Sequence, residues 1–262
     1  VLDEPIKAFG TYEVKAKPYA EQEILAAISD IMFSLDPKDY AELPPMVPNE
    51  IRVKLPPKVM DEYRRFKRTL VSEQYDVEAV NAAVLTNKLL QFANGSLFQE
   101  DGNDIWVHDC KLDALENLHN EVGGTPMLVA YSYKFDKRRI KEKFKHAVIL
   151  NEVPDVMQTV RDWNAGKIDM LLAHPASAAH GLNIQKGSNI SCWYGLNSDL
   201  ELFQQFNKRL HRPGQIADIV WSHRIIAVGT HDEDILPILD DKKAVQDRVF
   251  EATRLTLNDF DA

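Results

Sequence analysis

Two arginines three residues apart, Arg209 and Arg212, stand in the stretch FQQFNKRLHRPGQ from Phe203 to Gln215 and offer the clearest chemistry in the chain. A guanidinium is a permanently charged planar fork suited to phosphate oxygens, so a pair presented together points to a polyphosphate or a nucleic acid. Helical spacing puts Phe203, Phe206 and Leu210 on one face and the two arginines on another, and Pro213-Gly214 then stops the helix. The same spacing also describes a solvated basic helix end, where cations favour the negative pole of the macrodipole. On the residues alone the two readings stand level.

Two further segments carry candidate contacts. The loop HPASAAHGLNIQKGSN, which starts at His174, has small residues that permit close backbone approach, Ser177 as a donor and Gly181 for a turn. By composition it is also simply a long connection. PMLVAYSYKFDKRRI, from Pro126, is an apolar run followed by Ser132, Tyr133 and Lys134; core burial with a surface turn explains it almost as well as ligand contact.

The order Gln205, Arg209, His211, Arg212, Gly214, Gln215 resembles the last helicase motif of the SNF2 family of superfamily 2, QxxGRxHRxGQ. The resemblance implies that Arg209 and Arg212 are arginine fingers that meet ATP phosphates across a cleft between two RecA-like lobes, with Gln205 and Gln215 beside that cleft. Lys208 stands where the family has glycine. The His174 loop resembles motif V, AGGxGLNL: Gly181, Leu182 and Asn183 match it, and Ala178 and Ala179 replace its two glycines. By that resemblance Ser177 contacts phosphate on the tracked DNA strand, while Gly181 and Asn183 couple the contact to the nucleotide cleft. The Pro126 segment is similar to motif IV, which places Ser132, Tyr133 and Lys134 against the DNA backbone. LPP, then IRVKL, then Tyr63 on a helix resembles the segment that links the two lobes and begins their helical insertions; the basic cluster usual ahead of LPP is replaced here by IMFSLD. The His174–Gly187 loop is similar to those of phage-encoded members of the family.

These residues need a frame. From Lys111 onward helix and strand patterns alternate: a helix through Leu112, Leu115 and Leu118 closed near Gly123-Gly124, a strand at Pro126–Ser132, a helix at Asp136–Lys145, a strand at Ala147–Leu150, a helix at Asp155–Ala165, and strands at Ile168–Ala173 and Ile190–Tyr194. Alternation of this kind predicts a doubly wound parallel sheet, whose ligands bind beyond the strands' carboxyl ends. DIVWSHRIIAVGT reads as a strand or hairpin, Thr230 and Glu233 are spaced as a capping box that starts a helix, and KKAVQDRVFEAT is a final helix that packs back. His231, Asp232 and Asp234 are then first-turn residues favoured by the dipole.

The first part of the chain reads differently. Helices are predicted over Ala20–Leu35, from Lys58 to about Val71 and from about Val77 to Phe92, with an extended proline-rich stretch before a strand at Ile51–Leu55. SLFQEDGNDIWVHD is a hairpin turning at Asp101-Gly102-Asn103. Arg64, Arg65, Lys67 and Arg68 make one helix side basic, which suits either DNA phosphates or, more commonly, solvent. His108, Asp109 and Cys110 are consecutive, so in an extended segment they point to opposite faces and cannot converge on one metal ion.

Composition sets outer bounds. The chain has 262 residues, 45% of them hydrophobic, enough for a sizeable core. A formal net charge of −9 argues against non-specific coating of nucleic acid and leaves room for a local basic track. Cys110 and Cys192, far apart, support neither a disulfide framework nor a zinc site. No membrane-spanning run or secretory leader is visible, and a cytoplasmic setting in a bacterial or phage-infected cell is expected. The chain opens at Val1 without a methionine, as an excised part of a longer polypeptide would.

No GxxxxGK followed by Ser or Thr occurs, and Asp3-Glu4 sits too near the first residue to end a folded DEAH-type strand. The expectation is therefore an α/β chain. Residues 1–120 form a linker and mainly helical insertion region, and 121–262 the second RecA-like lobe of an SNF2-type DNA-dependent ATPase, a doubly wound parallel sheet flanked by helices. ATP and Mg²⁺ would be bound mainly by a first lobe of the same polypeptide, and DNA would be the other partner. This chain alone would be inactive. The alternatives are a non-catalytic nucleic-acid or protein interaction module that keeps the lobe fold and, last, a small-molecule enzyme on the same kind of sheet.

Overall fold

The computed structural model describes residues 43–178 and 181–253, and ahead of them 6–8, 11–13, 19, 23, 24 and 27. The helix expected over Ala20–Leu35, Asp3-Glu4 and Ala179 of the motif V segment lie wholly or mostly outside these residues. Two compact units are formed, Leu43–Leu239 and, separately, Val1–Glu42 with Asp240–Ala262. In the latter, β1 (Ile6–Ala8) and β2 (Thr11–Glu13) pair antiparallel.

In chain order the larger unit begins with β3 (Met46–Val53), α1 (Pro57–Thr69), β4 (Val71–Ser72), β5 (Val77–Glu78), α2 (Ala82–Asn94), β6 (Ser96–Phe98), β7 (Asp104–Trp106) and α3 (Cys110–Glu121). It continues with β8 (Met127–Ala130), α4 (Lys134–Lys143), β9 (Val148–Ile149), α5 (Val156–Asn164), β10 (Met170–Ala173), α6 (Pro175–Ala178), β11 (Ile190–Trp193), α7 (Leu200–Asn207) and β12 (Val220–Ala227). The last helix, α8, spans Asp232–Thr253.

Six strands form one sheet in the order β3-β12-β11-β8-β10-β9, every pairing parallel. The period of two divides their side chains between two cores. Leu128, Ala130, Leu171, Ala173, Trp193 and Ile226 pack with Val160 and Trp163 of α5 and Phe203 and Phe206 of α7. Met127, Val129, Met170, Leu172, Cys192 and Ile225 pack on the other face with Leu112, Leu115 and Leu118 of α3 and Ile140 of α4. The sheet is doubly wound, as the alternation predicts. Pro48 is tolerated within β3 because that strand stands at the edge of the sheet, with a partner on one side only among the described residues. Residues 57–107 build a third core from Tyr63, Phe66, Tyr75, Val77, Leu89, Phe92, Leu97 and Val107.

Several element boundaries differ from expectation, each for a local reason. Val77 lies in the β4/β5 hairpin and α2 starts only at Ala82, because the Asn81 side chain accepts from Val84 N at 2.9 Å and so caps the helix there. The long connection after β10 holds a short helix, α6. β12 is a single strand inserted between β11 and β3, not a hairpin. The two helices expected at the end are one helix, with Pro237 inside it. Most consequential, α7 ends at Asn207, so Arg209 and Arg212 stand in the turns beyond it. Asn207 Oδ1 is anchored by Trp193 Nε1 at 3.1 Å, and Leu210, fully buried, turns the chain into the core.

Candidate functional site

The α7 pattern of Phe203, Phe206 and Leu210 is buried as the spacing requires, and Trp193 stacks on Phe203 and meets Phe206 edge-on, each at 4.8 Å. This packing carries the chain from the carboxyl end of β11 back to the amino edge of the sheet. There Gln215 Nε2 donates to Leu210 O at 3.1 Å, Gln185 O at 2.8 Å and Ser188 O at 3.0 Å. One amide thus fastens the arginine turn to the segment that enters β11. His211 Nε2 bonds Pro44 O at 2.8 Å, just ahead of β3, and fixes the turn from its other side. Between these anchors lie the two arginines. Partial burial and, next, the charge of Arg212 pull the Arg209 guanidinium below the ordinary arginine value. Both arginines stand in successive turns after α7, and guanidinia are suited to phosphate oxygens.

Gln205 is on the exposed side of α7, its amide donated to Glu201 at 2.8 Å. Gly181 adopts φ +57, and among the described residues nothing lies within 4 Å of where a Cβ would stand. Asn183 presents an exposed side chain, and its carbonyl accepts from Asn164 Nδ2 at 2.8 Å. Trp163 Nε1 donates to Ile184 O at 2.8 Å, so the end of α5 pins this segment on its way to the amino edge.

Ser132, Tyr133, Lys134 and Ser177 lie at the opposite, carboxyl edge, just beyond the ends of the adjacent strands β8 and β10. Ser132 Oγ donates to Gly195 O at 3.0 Å, across the neighbouring β11 loop. Tyr133 stacks on Phe135 at 5.1 Å, and burial pushes its phenol up. Lys134 is exposed. The Ser177 hydroxyl donates to His174 O at 2.9 Å, and His174 in turn bonds the Ser132 main chain. The expected DNA set is therefore one surface, and the arginines with Gln215 form another at the far edge.

The chain is 39% identical over 244 residues to protein p41 of Acyrthosiphon pisum secondary endosymbiont phage 1, an alignment that covers 90% of this chain. It covers 52% of that protein, so the chain spans about half the length of the relative it matches. The crystal structure of the C-terminal part of the Fun30 ATPase domain matches with a TM-score of 0.57 at 12% identity, over 80% of this chain and 98% of that one. The chain has a RecA-like α/β fold. No protein-family model matches it.

Among the described residues, no group of three or more His, Cys, Asp or Glu is placed to hold a metal ion, and no helix is long and apolar enough to cross a membrane. His108, Asp109 and Cys110 serve the frame: His108 Nε2 bonds Phe92 O at 2.9 Å, Asp109 pairs with Arg139, and Cys110 opens α3. On α1, Arg64 lies 3.8 Å from Asp61, and Arg65 lies 2.5 Å from the buried Glu62.

What the sequence reading missed is a set of buried polar residues behind the carboxyl edge: Asn94, Lys111, Asp136 and Asp232, all at most 2% exposed. Asp136 Oδ2 accepts from Ser132 N at 3.2 Å and Tyr133 N at 2.9 Å, which caps α4. Asp232 Oδ2 accepts from Ala227 N at 2.9 Å and lies 2.6 Å from Lys111 Nζ. Asp232 is a first-turn residue, as expected, and is in addition half of a buried ion pair. A faint signal existed: Lys111 shares the helical face of Leu115 and Leu118, a lysine where the pattern asks for an apolar residue.

Proposed function

We propose that this chain is the second, C-terminal lobe of an SNF2-type DNA-dependent ATPase and DNA translocase. In this reading Arg209 and Arg212 act as arginine fingers, and Ser132, Tyr133, Lys134 and Ser177 are part of the DNA track. The observation that carries it is the placement of Arg209 and Arg212 in successive turns after α7, fastened by Gln215 to the segment that descends from Gly181 and Asn183. The likeness in fold to part of an ATPase domain supports it.

The chemistry follows from placement. ATP with Mg²⁺ is the bound group this reading implies, supplying the phosphoryl group and the charge that screens it. The cationic pair fits the phosphate oxygens, whereas the metal's ligands belong to a first lobe. Closure of the two lobes would bring both guanidinia to the oxygens that gain charge as the phosphoryl group transfers. The Gln185–Ser188 segment, bonded by Gln215 and pinned by Trp163, links the arginine turn to the Gly181–Asn183 backbone. A shift at the nucleotide is thereby passed along the main chain toward the DNA-facing edge, and alternation between open and closed states moves the grip along duplex DNA.

The test is DNA-stimulated ATP turnover by the full-length parent protein carrying Arg209→Ala or Arg212→Ala. Each substitution is expected to lower turnover by about 10³ to 10⁵ with ATP binding retained. Unchanged turnover in folded variants would overturn the assignment and leave a non-catalytic interaction module as the better reading.

A further inference from the structure

Asn94 ends α2, in the helical region, yet its side chain reaches the carboxyl edge of the sheet. Its Nδ2 donates to Asp136 Oδ2 at 3.0 Å and its Oδ1 accepts from Lys111 Nζ at 2.8 Å, so the amide orientation is fixed by a carboxylate on one side and an ammonium on the other. Its main-chain oxygen accepts from Tyr194 Oη at 3.0 Å and Arg139 Nη1 at 3.3 Å. Three loops of the edge are reached through these bonds: the one after β8 through Asp136, the one after β11 through Tyr194, and the one after β12 through Lys111 and Asp232.

The neighbouring backbone is shaped to let this residue in. A Cβ on Gly195 would stand 2.4 Å from Asn94 Nδ2 and 2.8 Å from Ser132 Oγ, so only glycine allows the amide and the serine to meet there. On the other side a Cβ on Gly95, which has φ +103, would stand 2.2 Å from His108 O and 2.6 Å from Arg139 Nη1. A second tie runs nearby, from His231 N to Tyr63 Oη at 2.7 Å, again joining the helical region to the β12 loop.

We infer that Asn94 is a positioning residue through which the helical region sets the conformation of the Ser132–Lys134 loop. It acts on Asp136, and Asp136 holds the Ser132 and Tyr133 amides. The inference rests on the reading of that loop as part of the DNA track for its functional consequence, though not for the coupling itself. A helical region that shifted on meeting a partner would draw Asn94 away from Asp136 and loosen the grip at Ser132–Lys134.

The test uses the full-length parent and two single substitutions that touch residue 94 in different ways. Asn94→Asp keeps the acceptor for Lys111 and removes the donor to Asp136 Oδ2, the same oxygen that holds the Ser132 and Tyr133 amides. Tyr194→Phe removes the bond to the Asn94 main-chain oxygen and leaves the side-chain amide in place. Amide hydrogen exchange in peptides covering residues 131–136, measured above the Asp136 value of about 7 so that its carboxylate is ionised, is expected to speed up about tenfold or more in Asn94→Asp while peptides covering β11 stay constant, and to be unchanged at 131–136 in Tyr194→Phe. DNA affinity is expected to fall in Asn94→Asp and to hold in Tyr194→Phe. Exchange at 131–136 that ignores Asn94→Asp, or that speeds up equally in Tyr194→Phe, would overturn the coupling. Exchange that follows Asn94→Asp while DNA affinity ignores both Asn94→Asp and Lys134→Ala would uphold the coupling and overturn the DNA-track reading.

Discussion

Lys111 Nζ and Asp232 Oδ2 lie 2.6 Å apart with their side chains 0% and 1% exposed, an ion pair closed off from solvent at the base of α8. Removing one partner strands the other charge in a medium that solvates it poorly. Lys111→Met is therefore expected to cost about 3–5 kcal/mol of stability. Asp232→Asn retains an acceptor for Ala227 N and discards the charge, so the double variant should recover part of that loss. Chemical denaturation of the four proteins in the cycle is expected to give a coupling of roughly 0.5–3 kcal/mol. A strictly additive cycle would mean the pair does not interact as described.

Two buried groups titrate in opposite senses. Burial first, aided by the charges of Arg139 and Lys111, pulls His108 from 6.5 down to about 4, against the hydrogen bond to Phe92 O that favours the charged form. The unfolded imidazole then takes up a proton that the folded one refuses, so this contribution to stability is present above pH 6.5 and is lost as pH falls toward 4. Burial pushes Asp136 from 3.8 up to about 7, against the amide hydrogen bonds to its Oδ2; its Oδ1 is buried with no partner among the described residues. Here the folded state holds the extra proton, so the contribution is full below 3.8 and is lost as pH rises toward 7. Denaturation midpoints across pH should therefore tilt oppositely in His108→Gln and Asp136→Asn relative to wild type. Each tilt is bounded by about 1.4 kcal/mol per pH unit. Parallel curves for all three proteins would refute both assignments.

Gly187 packs onto the indole of Trp163: a Cβ there would stand 2.2 Å from Nε1 and 2.3 Å from Cδ1. Trp163 is fully buried, and its N–H is bonded to Ile184 O, so the ring cannot give way cheaply. Gly187→Ala is expected to cost about 1–3 kcal/mol, as overpacking does. It should also alter near-ultraviolet tryptophan signals while leaving far-ultraviolet helix content unchanged. An unshifted midpoint would show that the loop relaxes freely around the indole.

The frame was more legible in the sequence than the wiring behind it. Apolar runs such as MLVA and MLLA, with helical patterns between them, gave the parallel sheet because side chains there obey a period of two or 3.6 whatever their partners. The hairpin at Asp101-Gly102-Asn103 followed from turn chemistry and is present as β6 and β7. The extent of α7 was not readable, since the helix ends where Asn207 is claimed by Trp193, a contact set by the tertiary fold. Asn94, Lys111 and Asp232 are separated by long stretches of chain, and no local pattern reports a bond between them. Asp136, three residues beyond Tyr133, carried a local signal as a carboxylate in the first turn of a helix.

Gln215 tests whether the arginine turn is built for chemistry or only for closure of the fold. Its Nε2 serves the carbonyls of Leu210, Gln185 and Ser188, and its Oε1 accepts from Ile216 N and Ala217 N at 2.9 and 3.0 Å. Gln215→Met fills similar space without either function and should cost about 1–3 kcal/mol for the polar groups it leaves unmet. If the turn only closes the fold, the full-length parent at a temperature where the variant is folded will hydrolyse ATP as the wild type does. If the turn presents Arg212 to a phosphate, loss of the fastening lets the guanidinium wander, and small displacements of a charge-stabilising group are costly to rate. The expected outcome is a fall in DNA-stimulated turnover of about 10-fold or more with little change in the KM for ATP, because a finger engaged mainly in the transition state lowers kcat and leaves ground-state binding in place.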